Sequence, residues 1–214
     1  LMGGNGAPLV PIGDDLLFSQ YDACLNLGGF SNISLQKNHQ RIAFDISPVN
    51  VVLNYFAEKL GKNYDENGDF ARNGAINFKI LEQLNALTFY QKPAPKSLGV
   101  EFVNSEIFPL LKDEIPENII ATFTEHIAEQ IAKVFNDNQL KTVLVTGGGT
   151  FNTYLLEKIR EKSQTELIVP DENIINFKEA LIFAFMGVLR LRNEVNVLCS
   201  ATGSSENHCS GILV

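Results

Sequence analysis

The sequence predicts an α/β fold, a mixed β-sheet flanked by helices on both faces. Three observations predict it. Three short stretches rich in β-branched and aromatic residues follow one another closely near the start, as in an antiparallel meander. Amphipathic helix patterns and short apolar strands then alternate to the end, as in βα units. Finally, 214 residues at 45% hydrophobic and 20% charged can bury a real core without disulfide or metal staples.

The elements follow in order. Residues 3–13 (GGNGAPLVPIG) are rich in Gly and Pro and predict an ordered loop. Ala23–Gly28, Asn32–Lys37 and Arg41–Ile46 read as strands in partial alternation, and GGFSN and KNHQ between them read as hairpin breaks. After Pro48, the residues Val51, Val52, Tyr55, Phe56 and Leu60 recur at helical spacing, and Gly61 ends that helix. Residues 62–116 interrupt the pattern with a polar turn (NYDENGD), a helix around Asn77–Tyr90, a Pro/Lys loop and a short helix near Ser105–Lys112. A long amphipathic helix runs from Glu117 to Asn136, with Ile119, Ile120, Phe123, Ile127, Ile131 and Val134 on its apolar face. The strand Thr142–Thr146, the helix Asn152–Lys162, the strand Glu166–Val169 and the helix Phe177–Leu191 complete the pattern, and the tail from Asn196 reads as loop. Three meander strands followed by alternating units give the element order of one lobe of the ribonuclease H-like, actin/hexokinase-type fold.

Charge and composition exclude several functions. Seventeen basic against 25 acidic side chains leave a net charge of −8, a poor match for nucleic acid or an anionic membrane. Backbone N–H groups can still bind a phosphorylated ligand. The odd cysteine count (Cys24, Cys199, Cys209) without a CxxC pair fits a reduced, cytoplasmic protein. The three histidines lack zinc spacing, no metal site is predicted, and the longest apolar run, Ala180 to Leu189, is too short to span a bilayer. No secretory leader pattern opens the chain.

Four features carry chemistry. Asn26-Leu27-Gly28-Gly29-Phe30-Ser31-Asn32 joins two strands, and paired glycines let a hairpin approach a phosphate; a plain hairpin would use the same residues. Gly147-Gly148-Gly149 leads from a strand into the helix at Asn152, where free N–H groups face a nucleotide; a tight strand–helix turn is the alternative. The spacing is neither GxGxxG nor a Walker A loop, which disfavours a dinucleotide-dependent oxidoreductase. Asp45 ends a strand, placed either as a general base or to serve the following helix start. Glu179 begins the apolar run KEALIFAF, where partial burial would raise its pKa; a first-turn glutamate favoured by the helix dipole is the alternative. The turn Asp65–Asp69 lacks the glycine and glutamate positions of a calcium loop and reads as solvated.

Taken together, eight blocks occur in a telling order: GGNGAPLVP, NLGGFSN, FDISPVN, YDENGDFARNG, PAPKSLGVEF, TGGGTFN, KEALIFAF and ATG. This series resembles the anhydro-N-acetylmuramic acid kinase family across essentially the whole chain. The resemblance implies a two-lobed sugar kinase that uses ATP and Mg2+ to phosphorylate O6 of 1,6-anhydro-N-acetylmuramic acid. Water opens the anhydro bridge at C1 in the same reaction, yielding N-acetylmuramic acid 6-phosphate in cell-wall recycling. By the same resemblance, Asp45 activates the water and Glu179 helps hold sugar and water. Asn26, Gly28, Gly29, Gly147, Gly148, Gly149 and Asn152 serve nucleotide and phosphate, while Pro48, Asn50, Lys96 and Ser97 belong to substrate loops.

The expected organisation is a crossing segment over 1–21, the second kinase lobe over 22–192 with an insertion at about 62–116, and a tail over 193–214 returning toward a first lobe. The family's N-terminal phosphate loop has no counterpart, so the expectation is a fragment inactive alone, from a homodimeric parent. Ser47, Val49, Leu98 and Val100 depart from the family pattern near the expected cleft. They motivate a second reading, a diverged non-catalytic homologue that binds an amino sugar or nucleotide.

Overall fold

The computed structural model describes residues 3–212. Five strands form one sheet: β1 (Ala23–Leu27), β2 (Phe30–Lys37), β3 (Gln40–Pro48), β4 (Thr142–Thr146) and β5 (Glu166–Ile168). Their spatial order is β3-β2-β1-β4-β5. The meander pairs antiparallel, whereas β1 with β4 and β4 with β5 run parallel. The β2–β3 hairpin turns through Asn38 and His39, both at positive φ (50° and 63°), the geometry that suits the strand twist.

Alternation along the strands gives the sheet two unlike faces. Leu25, Leu27, Ile33, Leu35, Ile46, Val143 and Val145 enter the main core. The residues between them on the meander and β4 include Cys24, Asn26, Asn32, Ser34, Arg41, Asp45 and Thr146, a mostly polar set. A bulge between β2 and β3 pairs Ser31 with Ser47 but Asn32 with Asp45, leaving Ile46 as the extra residue beside Asp45.

The helices are α1 (Pro11–Leu17), α2 (Asn50–Lys59), α3 (Asp69–Asn73), α4 (Phe78–Asn85) and α5 (Thr88–Gln91). They continue with α6 (Val100–Phe102), α7 (Phe108–Leu111), α8 (Pro116–Asp137), α9 (Thr153–Lys162), α10 (Glu172–Leu191) and α11 (Cys199–Thr202). Helices α2, α8 and α9 bury the apolar face of the sheet; α1 and α10 cover part of the other through Ile12, Phe18, Cys24, Leu144, Ile182 and Met186. The chain is thus an α/β lobe of the actin/hexokinase type.

Several elements differ from the sequence reading. The loop expected over 3–13 gives way to α1, which starts on Pro11, whose missing N–H costs nothing there. The helix expected over Asn77–Tyr90 breaks at Leu87, where the backbone is extended (ψ 136°). The weak helix formers Thr88, Phe89 and Tyr90 then form only a single turn. The helix near Ser105 begins at Val100 and widens into a π-turn over Val103–Ile107; Pro109, lacking an N–H, cannot continue regular bonding there. Helix α10 starts five residues before Phe177, because the Asp171 carboxylate accepts the N–H groups of Asn173 and Ile174. The tail is not simply loop: α11 lies in it, Val197 bridges His208, and Ser200 Oγ donates to the Arg41 carbonyl at 2.6 Å.

Candidate active site

Two cavities open beside the ends of β1 and β4, and both are lined by Gly148. The larger, about 870 Å³, lies over the polar face of the sheet; Asn26, Asp45, Lys96, Ser97, Gly147 and Glu179 are among its walls. The smaller, about 470 Å³, is bordered by Asn50, Tyr64, Asn67, Gly149, Phe151 and Asn152. Both lie in the size range of small-molecule sites.

Asp45 is half-buried on β3. Its Oδ2 accepts the Leu98 N–H at 2.7 Å, and its own N–H donates to the Lys96 carbonyl at 2.9 Å. The Pro/Lys loop therefore fixes the carboxylate from the side. Burial pushes its pKa above the ordinary aspartate value, opposed by the Leu98 bond. A half-buried carboxylate held in this way can accept a proton.

Glu179 departs from expectation. It lies in the interior of α10, well past the first turn, and is exposed. The run beside it does not bury it, because Phe177, Leu181 and Phe183 are exposed too, at 62%, 43% and 46%. The preceding residue, Lys178, is 7% exposed and bonds Asp14 Oδ1 at 2.7 Å. Consecutive helical positions point about 100° apart, so burial of Lys178 turns Glu179 to the cavity rim.

The glycine loop after β4 is built by backbone. Gly147 has φ 86° and ψ 164°, and a Cβ there would stand 2.5 Å from Asn26 Oδ1. A short 3₁₀ turn over Gly148–Phe151 follows, and Asn152 Oδ1 accepts the Leu155 N–H at 2.9 Å to cap α9. Asn152 therefore acts first as a cap.

Other expected residues lie apart. Gly28, Gly29 and Pro48 border neither cavity. The Gly29 carbonyl instead accepts N–H groups of Val49 and Val51, and that of Gly28 the N–H of Asn50, seating the start of α2. Lys96 borders the larger cavity, yet its Nζ donates to the Phe89 carbonyl at 3.2 Å and sits 4.5 Å from the Phe89 ring centre. Burial, with the Lys133 charge second, lowers its pKa. Ser47 and Val49 do not crowd the cleft: both are fully buried, and Ser47 bonds Ser31. Asp65 is not solvated; it is 5% exposed and accepts the N–H groups of Phe70 and Ala71.

The sequence reading missed Asp14, Lys178, Thr146 and Ser34 on the larger cavity, and Tyr64 and Phe151 on the smaller one. Strand alternation was the available signal for Ser34 and Thr146; Asp14 comes from the segment 1–21, read as crossing between lobes with no chemistry of its own.

A model of the anhydro-N-acetylmuramic acid kinase family matches residues 1–214. The chain belongs to the anhydro-N-acetylmuramic acid kinase family. It is 33% identical to the kinase of that name from Francisella tularensis subsp. novicida, over 94% of this chain and 58% of that protein. It is 34% identical to the one from Haemophilus influenzae, over 94% and 59%, and 32% identical to that of Aliivibrio fischeri, over 99% and 62%. The chain thus spans 58% to 62% of the length of these curated relatives. Among solved structures, the activator of the 2-hydroxyisocaproyl-CoA dehydratase from Clostridium difficile with bound ADPNP superposes with a TM-score of 0.51 at 17% identity, over 81% of this chain and 62% of that one. That likeness concerns the fold.

For this member of the anhydro-N-acetylmuramic acid kinase family, no group of three or more His, Cys, Asp or Glu side chains among the described residues could hold a metal ion. Mg2+ typically keeps its waters and binds through substrate phosphates with one or two carboxylates. The carboxylates on the larger cavity are Asp14, Asp45 and Glu179, of which Asp14 is paired with Lys178. No helix among the described residues is long and apolar enough to cross a membrane.

Proposed function

We propose that the protein is a kinase that phosphorylates O6 of 1,6-anhydro-N-acetylmuramic acid with ATP while water opens the anhydro bridge at C1. The observation that carries this reading is the meeting of two cavities at Gly148, one with Asp45 on its wall and one bordered by Tyr64, Phe151 and side-chain amides. The smaller cavity suits the nucleoside, the larger one the sugar, and the γ-phosphoryl passes between them. Phosphoryl transfer demands mainly positioning and charge neutralisation. Mg2+, when bound with the nucleotide, would supply the neutralisation through the phosphates, with the exposed Glu179 free to hold one of its waters.

Asp45 takes a proton from the water that attacks C1. The sugar O6 is the leaving oxygen at C1, and it accepts the phosphoryl instead of a proton from a general acid. Glu179 orients a sugar hydroxyl or that water. Asn26 and Gly147 line the path between Asp45 and the phosphoryl, and Asn50, Gly149 and Asn152 face the nucleoside. The setting we infer is amino-sugar salvage during peptidoglycan recycling in the cytoplasm, by a homodimer.

The test uses the full-length protein with ATP, Mg2+ and the anhydro sugar in 18O-water. A 6-phosphorylated product with one 18O at C1, read by mass spectrometry, is expected. Sugar bound tightly without product or ADP would instead leave a binding protein.

A further inference from the structure

The larger cavity has an end that this reaction does not use. There β1 and β2 present Cys24 and Ser34 to the wall, and Arg41 lies directly behind them, 4% exposed. A strand rises about 3.3 Å per residue, so Arg41 stands about 13 Å along β3 from Asp45. Its guanidinium turns back toward the cavity: Nε donates to Ser34 Oγ at 2.7 Å, and Nη2 lies 3.5 Å from Cys24 Sγ. Among the described residues no carboxylate pairs with Arg41.

Nearby, Lys178 and Asp14 form a buried ion pair on the same cavity. Burial and then the Asp14 charge push the Cys24 thiol up to about 12, so it stays neutral and balances nothing. Of the two buried cations, Lys178 has a carboxylate partner and Arg41 has none among the described residues. Glu179 is exposed on the rim, and Asp45 is at the far end. A buried cation without a counter-charge is costly, and an arriving anion removes the cost.

We infer that Arg41, acting through Ser34 and beside Lys178, forms a subsite that recognises the carboxylate of a sugar acid. This rests on the reading above, since N-acetylmuramic acid derivatives carry a carboxylate on a short ether arm and N-acetylglucosamine derivatives do not. Ser34 Oγ accepts from Arg41 and so has its own O–H free to donate to the carboxylate. Arg41 is thus a positioning residue that charges the serine bond. A neutral sugar in this place leaves the cation unanswered, which turns a missing acid group into discrimination. A nucleotide phosphate has the same anionic chemistry, and the experiment separates the two.

The test compares kcat/KM for 1,6-anhydro-N-acetylmuramic acid and its methyl ester in the wild type, Arg41→Met and Ser34→Ala. The acid-to-ester ratio is expected to fall about tenfold or more in both variants, the scale of a lost charge-assisted bond. Equal losses on acid and ester would mean a structural role and overturn the inference. A raised KM for ATP with the ratio unmoved would assign the cations to phosphate and also overturn it. If Arg41→Met does not fold, Ser34→Ala decides alone, since it removes only one oxygen. If the wild type phosphorylates neither sugar, the kinase reading fails, and calorimetry decides the subsite. Tighter binding of acid than ester would support it, and equal or absent binding would sink it.

Discussion

Replacement of Gly147 by alanine tests the loop geometry most sharply. The φ and ψ of Gly147 fall in a region open almost only to glycine, so a side chain costs about 1–3 kcal/mol in backbone strain. The added Cβ also meets Asn26 Oδ1 at 2.5 Å and the Leu27 carbonyl carbon and oxygen at 2.9 Å. Leu27 ends β1, which is paired on both sides, so its backbone cannot yield cheaply. Overpacking of that kind adds about 1–3 kcal/mol. Together the two costs come to about 4 kcal/mol, which lowers Tm by about 12 °C for a chain of this size. Gly148→Ala is the control. Gly148 is not at positive φ, and its Cβ would meet only Asn50 Nδ2 at 3.9 Å. Stability should change by less than about 0.5 kcal/mol. A methyl at the junction of the two cavities should instead lower kcat/KM by roughly 10²-fold, as small misplacements of reacting groups do. Urea and thermal unfolding with steady-state kinetics read both quantities. A Gly147→Ala protein melting within about 2 °C of wild type, or two variants that behave alike, would refute the reasoning.

Four further outcomes follow from the described residues. Asp45→Asn should lower kcat by about 10³-fold while keeping the fold, because the amide oxygen can still accept the Leu98 N–H. Since burial raises the Asp45 pKa, its ionised form costs stability; Asp45→Asn should therefore be the more stable at neutral pH in urea titrations, and the gain should vanish below the ordinary aspartate range. His126, fully buried with its pKa lowered to about 3, supports the fold fully above its unfolded value of 6.5, and that support is lost as pH falls toward 3. The loss is on the order of 5 kcal/mol, and His126→Gln should flatten it in acid unfolding curves. Lys178→Met should cost about 3–5 kcal/mol by stranding Asp14, and the double variant with Asp14→Asn should recover most of that on chemical denaturation.

The sheet was readable because alternation and hairpin chemistry are local. Asn38-His39 can only turn tightly, and Val143-Leu144-Val145 can only be buried. Helix starts were less readable, since they hang on single caps: Asp171 moves α10 back by about one and a half turns, and with it the setting of Glu179. Asp45 could be placed on its strand from sequence, but the bond that fixes it comes from Leu98, 53 residues away. The Asp14–Lys178 pair is 164 residues apart, and no local pattern links them.

Topology also explains where the cleft lies. Antiparallel neighbours joined by tight hairpins bring no helix with them, whereas parallel crossovers do. On the second face of the sheet, α1 and α10 pack on Cys24 of β1 and Leu144 of β4, and α1 and α11 also reach β3, where Ser200 bonds the Arg41 carbonyl. Between these helices Asn32, Ser34, Ala43 and Asp45 border the larger cavity. Polar residues there are tolerated by the fold, not required by it. Asn32 is exposed in β2 and hydrogen-bonds nothing through its side chain among the described contacts. Asn32→Leu should therefore leave unfolding free energy within about 0.5 kcal/mol of wild type. Its bulk opposite Asp45 should nonetheless raise KM for the sugar and leave KM for ATP unmoved. Destabilisation without a change in the sugar KM would mean that this face is part of the core and that the cleft lies elsewhere.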